Sequence, residues 1–560
     1  LRSARKNAIA SSEHFRLRGI HIFALIFTAI LLLHGPLLRL PYFWDEAGYY
    51  IPAAYDFFTH GSLIPLSVPS NAHPPLPAIY LAFWWKLSAF KPSVTRIAML
   101  LVAALALTAV FKLSQMLANT RVALAVLACT AAYPVWFAQS SLAHADLPAA
   151  AFSLWGIYFY FRSLVANDFR GQNSRQALVG KEAAAANRDA ILAAAFFWLS
   201  AVSKETAIII PIALAIYDLG AVWKTKRGVS AGTFARSALL FSSVIPLGIW
   251  FLYHRLHTGF LFGNPEFFAY NVTGTFTPLR IVMSIGLRSW QILGYMNLWL
   301  LTLATIWVMR YPALSEDDGS ERPRIALTFQ YRIAAILIAN VLAFSLVGGA
   351  ALARYLLPVY PLVILIGIST LRRRLANWPL AVALVIVGFA LALFANPFGY
   401  SAPEDNLSYR DYVILHKQAA NRLEERDPHA RVLTAWTATD ELTKPFLSYI
   451  RRPMSVVRIE DFSYGQLQIG RFAAGQYDVA LLFSTKQTPQ FSVLDRWSWW
   501  ERLSRKHFGF HRDLSPDTAA AMLGGRITWE AKRGRQWIAI VSFDRVEDAQ
   551  GARSDWKKKT

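Results

Sequence analysis

Tyr42-Phe43-Trp44-Asp45-Glu46-Ala47-Gly48-Tyr49-Tyr50 follows directly on an apolar run at residues 20–40. A run of that length is enough for a membrane-crossing helix. Two carboxylates at its end are costly beside lipid unless a partner, a water-filled cavity or a chemical task holds them. Beyond this point the chain alternates apolar runs with polar turns. Hydrophobic residues make up 55% of the 560 and charged residues 16%, a membrane composition. Lysine and arginine number 57 against 35 aspartates and glutamates, a formal net charge of +22. In a multi-span chain that excess belongs in cytoplasmic loops and against anionic lipid, so no nucleic-acid partner is expected. The single cysteine, Cys129, excludes a disulfide within the chain and a cysteine-metal cluster.

Arg2, Arg5, Lys6, Arg16 and Arg18 precede the first run, which reads as a retained signal-anchor helix. Its N-terminus is then cytoplasmic and Asp45 lies outside. The apolar piece at residues 76–90 is short, begins with prolines and carries Lys86, so it crosses the membrane or lies along its surface. Counting parity separates these. If it stays interfacial, spans follow near 95–116, 122–138, 147–164, 188–203, 206–222, 236–253, 286–309, 332–350, 355–371 and 378–396. The basic loops at 162–188, Lys224-Thr225-Lys226-Arg227, 310–332 and Arg372-Arg373-Arg374 then all face the cytoplasm. If it crosses, all of them land outside. The positive-inside rule therefore selects a polytopic α-helical membrane protein of about eleven transmembrane helices, with an interfacial segment in the first outer loop.

Residues 1–396 form this membrane domain. From about Asn396 the composition turns polar, and residues 397–560 read as a small C-terminal α/β domain, extracytoplasmic by the same parity. Helical spacing covers 409–426, and strands are expected at 431–436, 478–483 and 537–543. The last strand closes a hairpin turning at Arg533-Gly534-Arg535, and the lysine-rich end at 554–560 reads as a frayed tail. On the outer side the parity gathers Asp45, Glu46, His73, His144, Asp146, Ser203-Lys204-Glu205, the loop at 254–284 and Arg354. Such a collection of acids, histidines and specific cations at helix ends is expected of a site at the outer membrane surface.

Three motifs in this order carry a resemblance. Trp44-Asp45-Glu46 follows the first span, His73-Pro74-Pro75-Leu76 lies in the first outer loop, and Arg354-Tyr355-Leu356-Leu357-Pro358 opens a late span. Over residues 20–396 the chain resembles the GT-C glycosyltransferases. The branch it looks most like is the dolichyl-phosphate-mannose protein mannosyltransferases and their bacterial relatives, the lipid A aminoarabinose transferase among them. Asp146 and Ser203-Lys204-Glu205 are similar to positions in that group. The resemblance implies a sugar donor on a polyprenyl phosphate, an acceptor reached from the outer face, an acid of the first outer loop as base, and no nucleotide-sugar site. His73 stands where the lipid A branch usually has lysine. Pro77-Ala78 replaces the Gly-Lys of the eukaryotic enzymes, and there is no room for their β-trefoil insert.

Sugar transfer from a phosphate-linked donor needs a base for the acceptor hydroxyl and cations for the departing phosphate. Asp45 is the expected base, with Glu46 as orienting neighbour, second acid or solvated loop acid. Arg354 can grip two phosphate oxygens, and Tyr355 beside it suits a headgroup site; the alternative is an interfacial arginine. Lys204 offers a point charge or an ion pair with Glu205. His73 orients acceptor or phosphate, or is held structurally by Pro74-Pro75. Asp146 fixes a sugar hydroxyl or pairs with Lys204 or Arg354. His254 and His257 have a spacing compatible with a metal, but it is far from diagnostic. No cofactor and no metal are expected.

The function expected is an inverting glycosyltransferase at the outer face of a bacterial inner membrane. Its donor is a polyprenyl-phosphate-linked sugar, its acceptor a glycolipid, glycan or protein, and membrane lipids surround it. The alternative is a membrane transporter or lipid flippase. Transporters place charge near the bilayer midplane, whereas this chain's ionisable residues gather at the outer edge.

Overall fold

The 20–40 run folds as the helix Gly19–His34, continued by a tight turn over Gly35–Leu37 where Pro36 ends the regular helix. The computed structural model describes residues 19–170, 176–224, 231–396, 402–485, 496–509 and 513–543. The basic N-terminal residues Arg2, Arg5, Lys6, Arg16 and Arg18, the Thr225-Lys226-Arg227 turn and the tail at 554–560 lie outside the described residues. The chain folds as two compact units. One takes in the described residues of Leu1–Leu38, Pro52–Pro397 and Glu404–Asn406; the other takes in those of Arg39–Ile51, Phe398–Pro403 and Leu407–Thr560.

The first unit is helical. Among the described residues five helices are long and apolar enough to cross a membrane: Gly19–Leu37, Pro92–Leu117, Asp146–Ala166, Gly232–Thr258 and Leu327–Leu346. Several other expected spans are shorter helices, such as Thr120–Ala132 and Trp378–Phe394. Leu32, Leu33, Ile249, Leu252 and Leu391 stay exposed on these helices, the surface a lipid-facing bundle requires. The chain is a multi-pass helical membrane protein. Of these five, Pro92–Leu117 is the most enclosed, with 78% of its apolar stretch buried against 22% for Gly19–Leu37. Ala98, Ala103, Ala104 and Ala106 on it are buried, and such small side chains let neighbouring backbones approach closely.

The apolar piece expected at 76–90 forms the helix Leu76–Leu87. Its 12 residues rise only about 18 Å, too little to cross the hydrocarbon core. The span expected at 286–309 is a pair of helices, Pro278–Asn297 and Trp299–Val308, bent by 95°. Met296 and Asn297 adopt positive φ at the bend, and the Asn297 amide donates to Gly388 O at 2.8 Å. Apolar periodicity continues through such a break, so it is invisible to hydropathy.

The second unit is α/β. Five strands, β1 Arg431–Ala435, β2 Ser455–Ile459, β3 Val479–Phe483, β4 Arg526–Arg533 and β5 Gln536–Ser542, form one sheet in the order β2-β1-β3-β5-β4. β1 pairs parallel with β2 and β3, whereas β3–β5 and β4–β5 are antiparallel. The 526–543 hairpin closes with Arg533 opposite Gln536 and Gly534 at positive φ. β2 was not among the expected strands. It is a short run, and Arg458 breaks its apolar pattern. The helix Ser408–Arg426 buries Tyr409, Tyr412, His416 and Leu423, at helical spacing.

Candidate functional site

Asp146 opens the helix Asp146–Arg170, where a carboxylate also suits the positive end of the helix dipole. Lys204 lies just after the helix Gln176–Ala201, and Arg354 lies in the turn Ala353–Leu356 that follows the helix Leu327–Leu346. A helix start and two helix ends thus meet within the first unit. Lys204 Nζ donates to Asp146 Oδ1 at 2.5 Å, and Arg354 Nε stands 3.4 Å from Asp146 Oδ2. Arg354 Nη1 donates to Glu404 Oε2 at 3.0 Å. Asp146, Lys204, Arg354 and Glu404 are all buried. Two cations and two carboxylates therefore neutralise one another away from bulk solvent, where each alone would be costly.

His144 adjoins this cluster. Its Nδ1 is 2.8 Å from Gln139 Oε1, and Arg354 Nη1 packs 3.0 Å from Nδ1 and 3.2 Å from Nε2. Burial first, then Arg354, Lys204 and Arg96, hold its pKa well below the ordinary value, so the ring is neutral. Tyr355 offers its ring face to Lys204, with Nζ 4.2 Å from the centroid. Asp146, Ser153, Lys204, Ile210, Arg354 and Tyr355 are among the residues that line a narrow cavity here.

Residues outside the sequence-derived set hold this corner. The helix Pro278–Leu293 buries Arg280, Ser284, Arg288 and Gln291, spaced to lie along one side. Arg288 Nη1 donates to Leu352 O at 2.7 Å, Gln291 Nε2 to Ala351 O at 2.8 Å, and Arg280 Nη2 to Gly348 O at 2.9 Å. The segment leading into Arg354 and Tyr355 is thereby pinned through its carbonyls. A polar stripe at helical spacing inside an apolar segment is the sequence signal that would have found it.

His73 belongs to a neighbouring arrangement in the same unit. Its Nδ1 lies 3.0 Å from Glu205 Oε2, and its ring packs edge-on against Phe267. Burial pushes the Glu205 carboxyl up, but the charge and hydrogen bond of His73, with Lys204 nearby, bring it down to about 2. Trp250 Nε1 donates to Ala72 O at 2.8 Å, fixing the chain just before His73. His254 Nε2 lies 2.8 Å from Ser70 Oγ and its Nδ1 2.7 Å from Phe260 O. Both ring nitrogens thus serve loop packing. His257 Nδ1 is 2.8 Å from Tyr253 O. Among the described residues no group of three or more histidines, cysteines and acids is placed to hold a metal.

Asp45 and Glu46 are carried by the second unit. Glu46 is fully buried, and its Oε2 accepts the Phe43 N–H at 2.9 Å, so it closes the turn in which Trp44 takes positive φ. It is no solvated loop acid. Tyr449 OH donates to Tyr42 O at 2.9 Å. The Trp44 ring packs edge-on against Tyr412 and Trp436, at 5.7 and 5.0 Å between centroids. Tyr412 OH meets Thr437 Oγ1, Thr437 Oγ1 donates to Glu441 Oε1, and Glu441 Oε2 lies 2.6 Å from His416 Nδ1. Asp45, half-buried, is therefore presented by a rigid turn braced on the sheet domain.

No family model matches the chain, and no curated protein matches it. Solved structures do. ArnT from Cupriavidus metallidurans bound to undecaprenyl phosphate is similar over 93% of this chain and 97% of its own, with a TM-score of 0.51 and 15% identity. The oligosaccharyltransferase AglB from Archaeoglobus fulgidus, solved with an inhibitory peptide and a dolichol-phosphate, is similar over 83% of this chain and 69% of its own, with a TM-score of 0.45 and 12% identity. The fold of this chain is the GT-C fold.

Proposed function

We propose that this protein is an inverting glycosyltransferase that moves a sugar from a polyprenyl-phosphate carrier to an acceptor hydroxyl at the outer face of the inner membrane. The observation that carries the reading is the buried Lys204–Asp146–Arg354–Glu404 cluster beside a cavity, at one end of the spans of a GT-C fold. A lipid phosphate needs cations in a water-poor pocket within reach of the bilayer, and the buried Lys204 and Arg354 beside this cavity support that reading. The solved ArnT structure of the same fold holds undecaprenyl phosphate, a carrier of the class inferred here.

In this reaction Asp45 accepts the proton of the acceptor hydroxyl as its oxygen attacks the anomeric carbon. The bond from that carbon to the phosphate oxygen breaks, and the polyprenyl phosphate leaves with the electron pair. Lys204 retains donors beyond the one given to Asp146, and Arg354 adds a planar guanidinium; together they stabilise the phosphate. Glu46 keeps Asp45 oriented through the Phe43 amide, and Tyr355 and His73 shape the headgroup and acceptor sides. The acceptor is a glycolipid, a cell-envelope glycan or a protein. Mass spectrometry of membrane glycolipids and exported proteins, from cells with the protein, without it and with Asp45→Asn, tests the reading. It expects a hexose- or pentose-sized addition present only with the wild type. Identical profiles in all three would refute it.

A further inference from the structure

The second unit carries a helix that the reaction does not use. Arg496-Trp497 leads into Ser498–Phe508, whose sequence is SWWERLSRKHF. None of its residues is buried, and Trp497 and Trp499 are 46% and 48% exposed. Their rings stack on each other at 5.7 Å. Trp499, Arg502, Arg505 and Lys506 are exposed and share one side of the helix at helical spacing, whereas Trp500 and Leu503 on the other side are half-buried. Glu501 is the one acid against Arg496, Arg502, Arg505 and Lys506, and it pairs with Arg505 at 3.2 Å.

A soluble helix that exposes tryptophans costs solubility and gains nothing from water. Tryptophan flanked by lysine and arginine is what the bilayer interface favours: the indole sits at headgroup depth and the cations meet anionic lipid. A bilayer is never far from this unit, because the chain enters it from the first membrane helix at Leu38 and again after the helix Trp378–Phe394. Tethering makes docking effectively intramolecular, so a weak surface affinity suffices.

We infer that the helix Ser498–Phe508 is an interfacial anchor by which the C-terminal unit rests its exposed Trp497–Trp499 stack, with Arg502 and Lys506 beside it, on anionic phospholipid of the same membrane. Such an anchor serves whichever sugar or acceptor is used.

Cys129 is the only cysteine and is buried, so an introduced cysteine can be labelled selectively. The test places an NBD fluorophore on the full-length protein at Trp499→Cys or, keeping every tryptophan, at Ser498→Cys. Each is reconstituted in nanodiscs of phosphatidylcholine alone or mixed with phosphatidylglycerol, with and without brominated acyl chains. The expected result is a blue-shifted probe at either residue, quenched by brominated lipid more in the anionic discs. Adding Arg502→Glu and Lys506→Glu should lower the docked-to-free ratio by roughly tenfold or more. A probe in water in both lipids overturns the inference. So does a blue shift without bromine quenching, which means protein covers the face, or quenching indifferent to lipid charge.

Discussion

Lys204 and Asp146, 58 residues apart, form a buried ion pair with 2.5 Å between Nζ and Oδ1, and Tyr355 covers the ammonium from above its ring. The pair lines the narrow cavity that we propose receives the donor phosphate. Arg354 stands on the other oxygen of the same carboxylate.

Replacing Lys204 by Met leaves Asp146 with Arg354 alone. Breaking a buried pair costs about 3–5 kcal/mol, and the lower end is expected because Arg354 Nε remains 3.4 Å away. Transfer should fall by about 10²-fold, the scale of losing one stabilising group at a developing charge. Lys204→Arg should recover more stability than activity, since a guanidinium does not reproduce the ammonium over Tyr355. Thermal unfolding and initial rates on the same preparations check both.

A comparison cluster lies about four turns along the helix that Asp146 opens. Asp218 Oδ1 accepts from Arg332 Nη2 at 2.7 Å, and its Oδ2 accepts from Arg236 Nε at 3.1 Å and Tyr160 OH at 2.8 Å. Asp218→Asn should destabilise by a similar amount, about 3–5 kcal/mol, through two orphaned arginines. Turnover per folded molecule should stay within about twofold of wild type, because only a structural role is assigned there. A rate loss matching that of Lys204→Met would dissolve the distinction between the two clusters.

Glu205 sets an acid limb. Its carboxyl lies at about 2 in the folded protein against an ordinary 4.5. A folded-state pKa below the unfolded one means that the stabilisation is full above about pH 4.5 and is lost as pH falls toward 2. Glu205→Gln should therefore flatten the stability profile of the membrane unit across that window and leave it parallel to wild type above. An unchanged acid limb would show that the His73 contact does not operate in solution.

Gly48 sits against Trp436, where an added Cβ would lie 2.5 Å from Cζ2. Gly48→Ala should destabilise the C-terminal unit by about 1–3 kcal/mol through overpacking. It should also misplace Asp45, three residues away on the same turn. Trp436→Phe, which removes the offending edge, should be less harmful in the Gly48→Ala background than alone. A double-mutant cycle with no coupling would contradict the packing described.

Much of the helical unit was legible because apolar runs and basic loops are local signals. Asp146, Lys204, Arg354 and Tyr355 were readable as polar residues at helix ends, and the pairing of Asp146 with Lys204 and Arg354 was among the alternatives. The partner of Lys204 could not be fixed. Lys204 and Glu205 are adjacent, yet the chain is extended at Lys204 before it turns at Glu205, so one side chain goes to Asp146 and the other to His73. Glu404 was missed because its link to Arg354 spans 50 residues and only tertiary packing makes it. The bend at Met296–Asn297 was hidden by unbroken hydropathy. Glu46 was legible as a special acid, but its burial under the Phe43 amide was not.

The claim that matters most is that the Lys204–Arg354 corner holds the phosphate of a polyprenyl carrier. Native mass spectrometry of the purified protein with equimolar undecaprenyl phosphate and undecaprenol tests it directly, in wild type and in Lys204→Met. The account predicts that wild type retains the phosphate lipid in strong preference to the alcohol and that the variant loses this preference while still binding both tails. Equal retention of phosphate and alcohol by the wild type would contradict it.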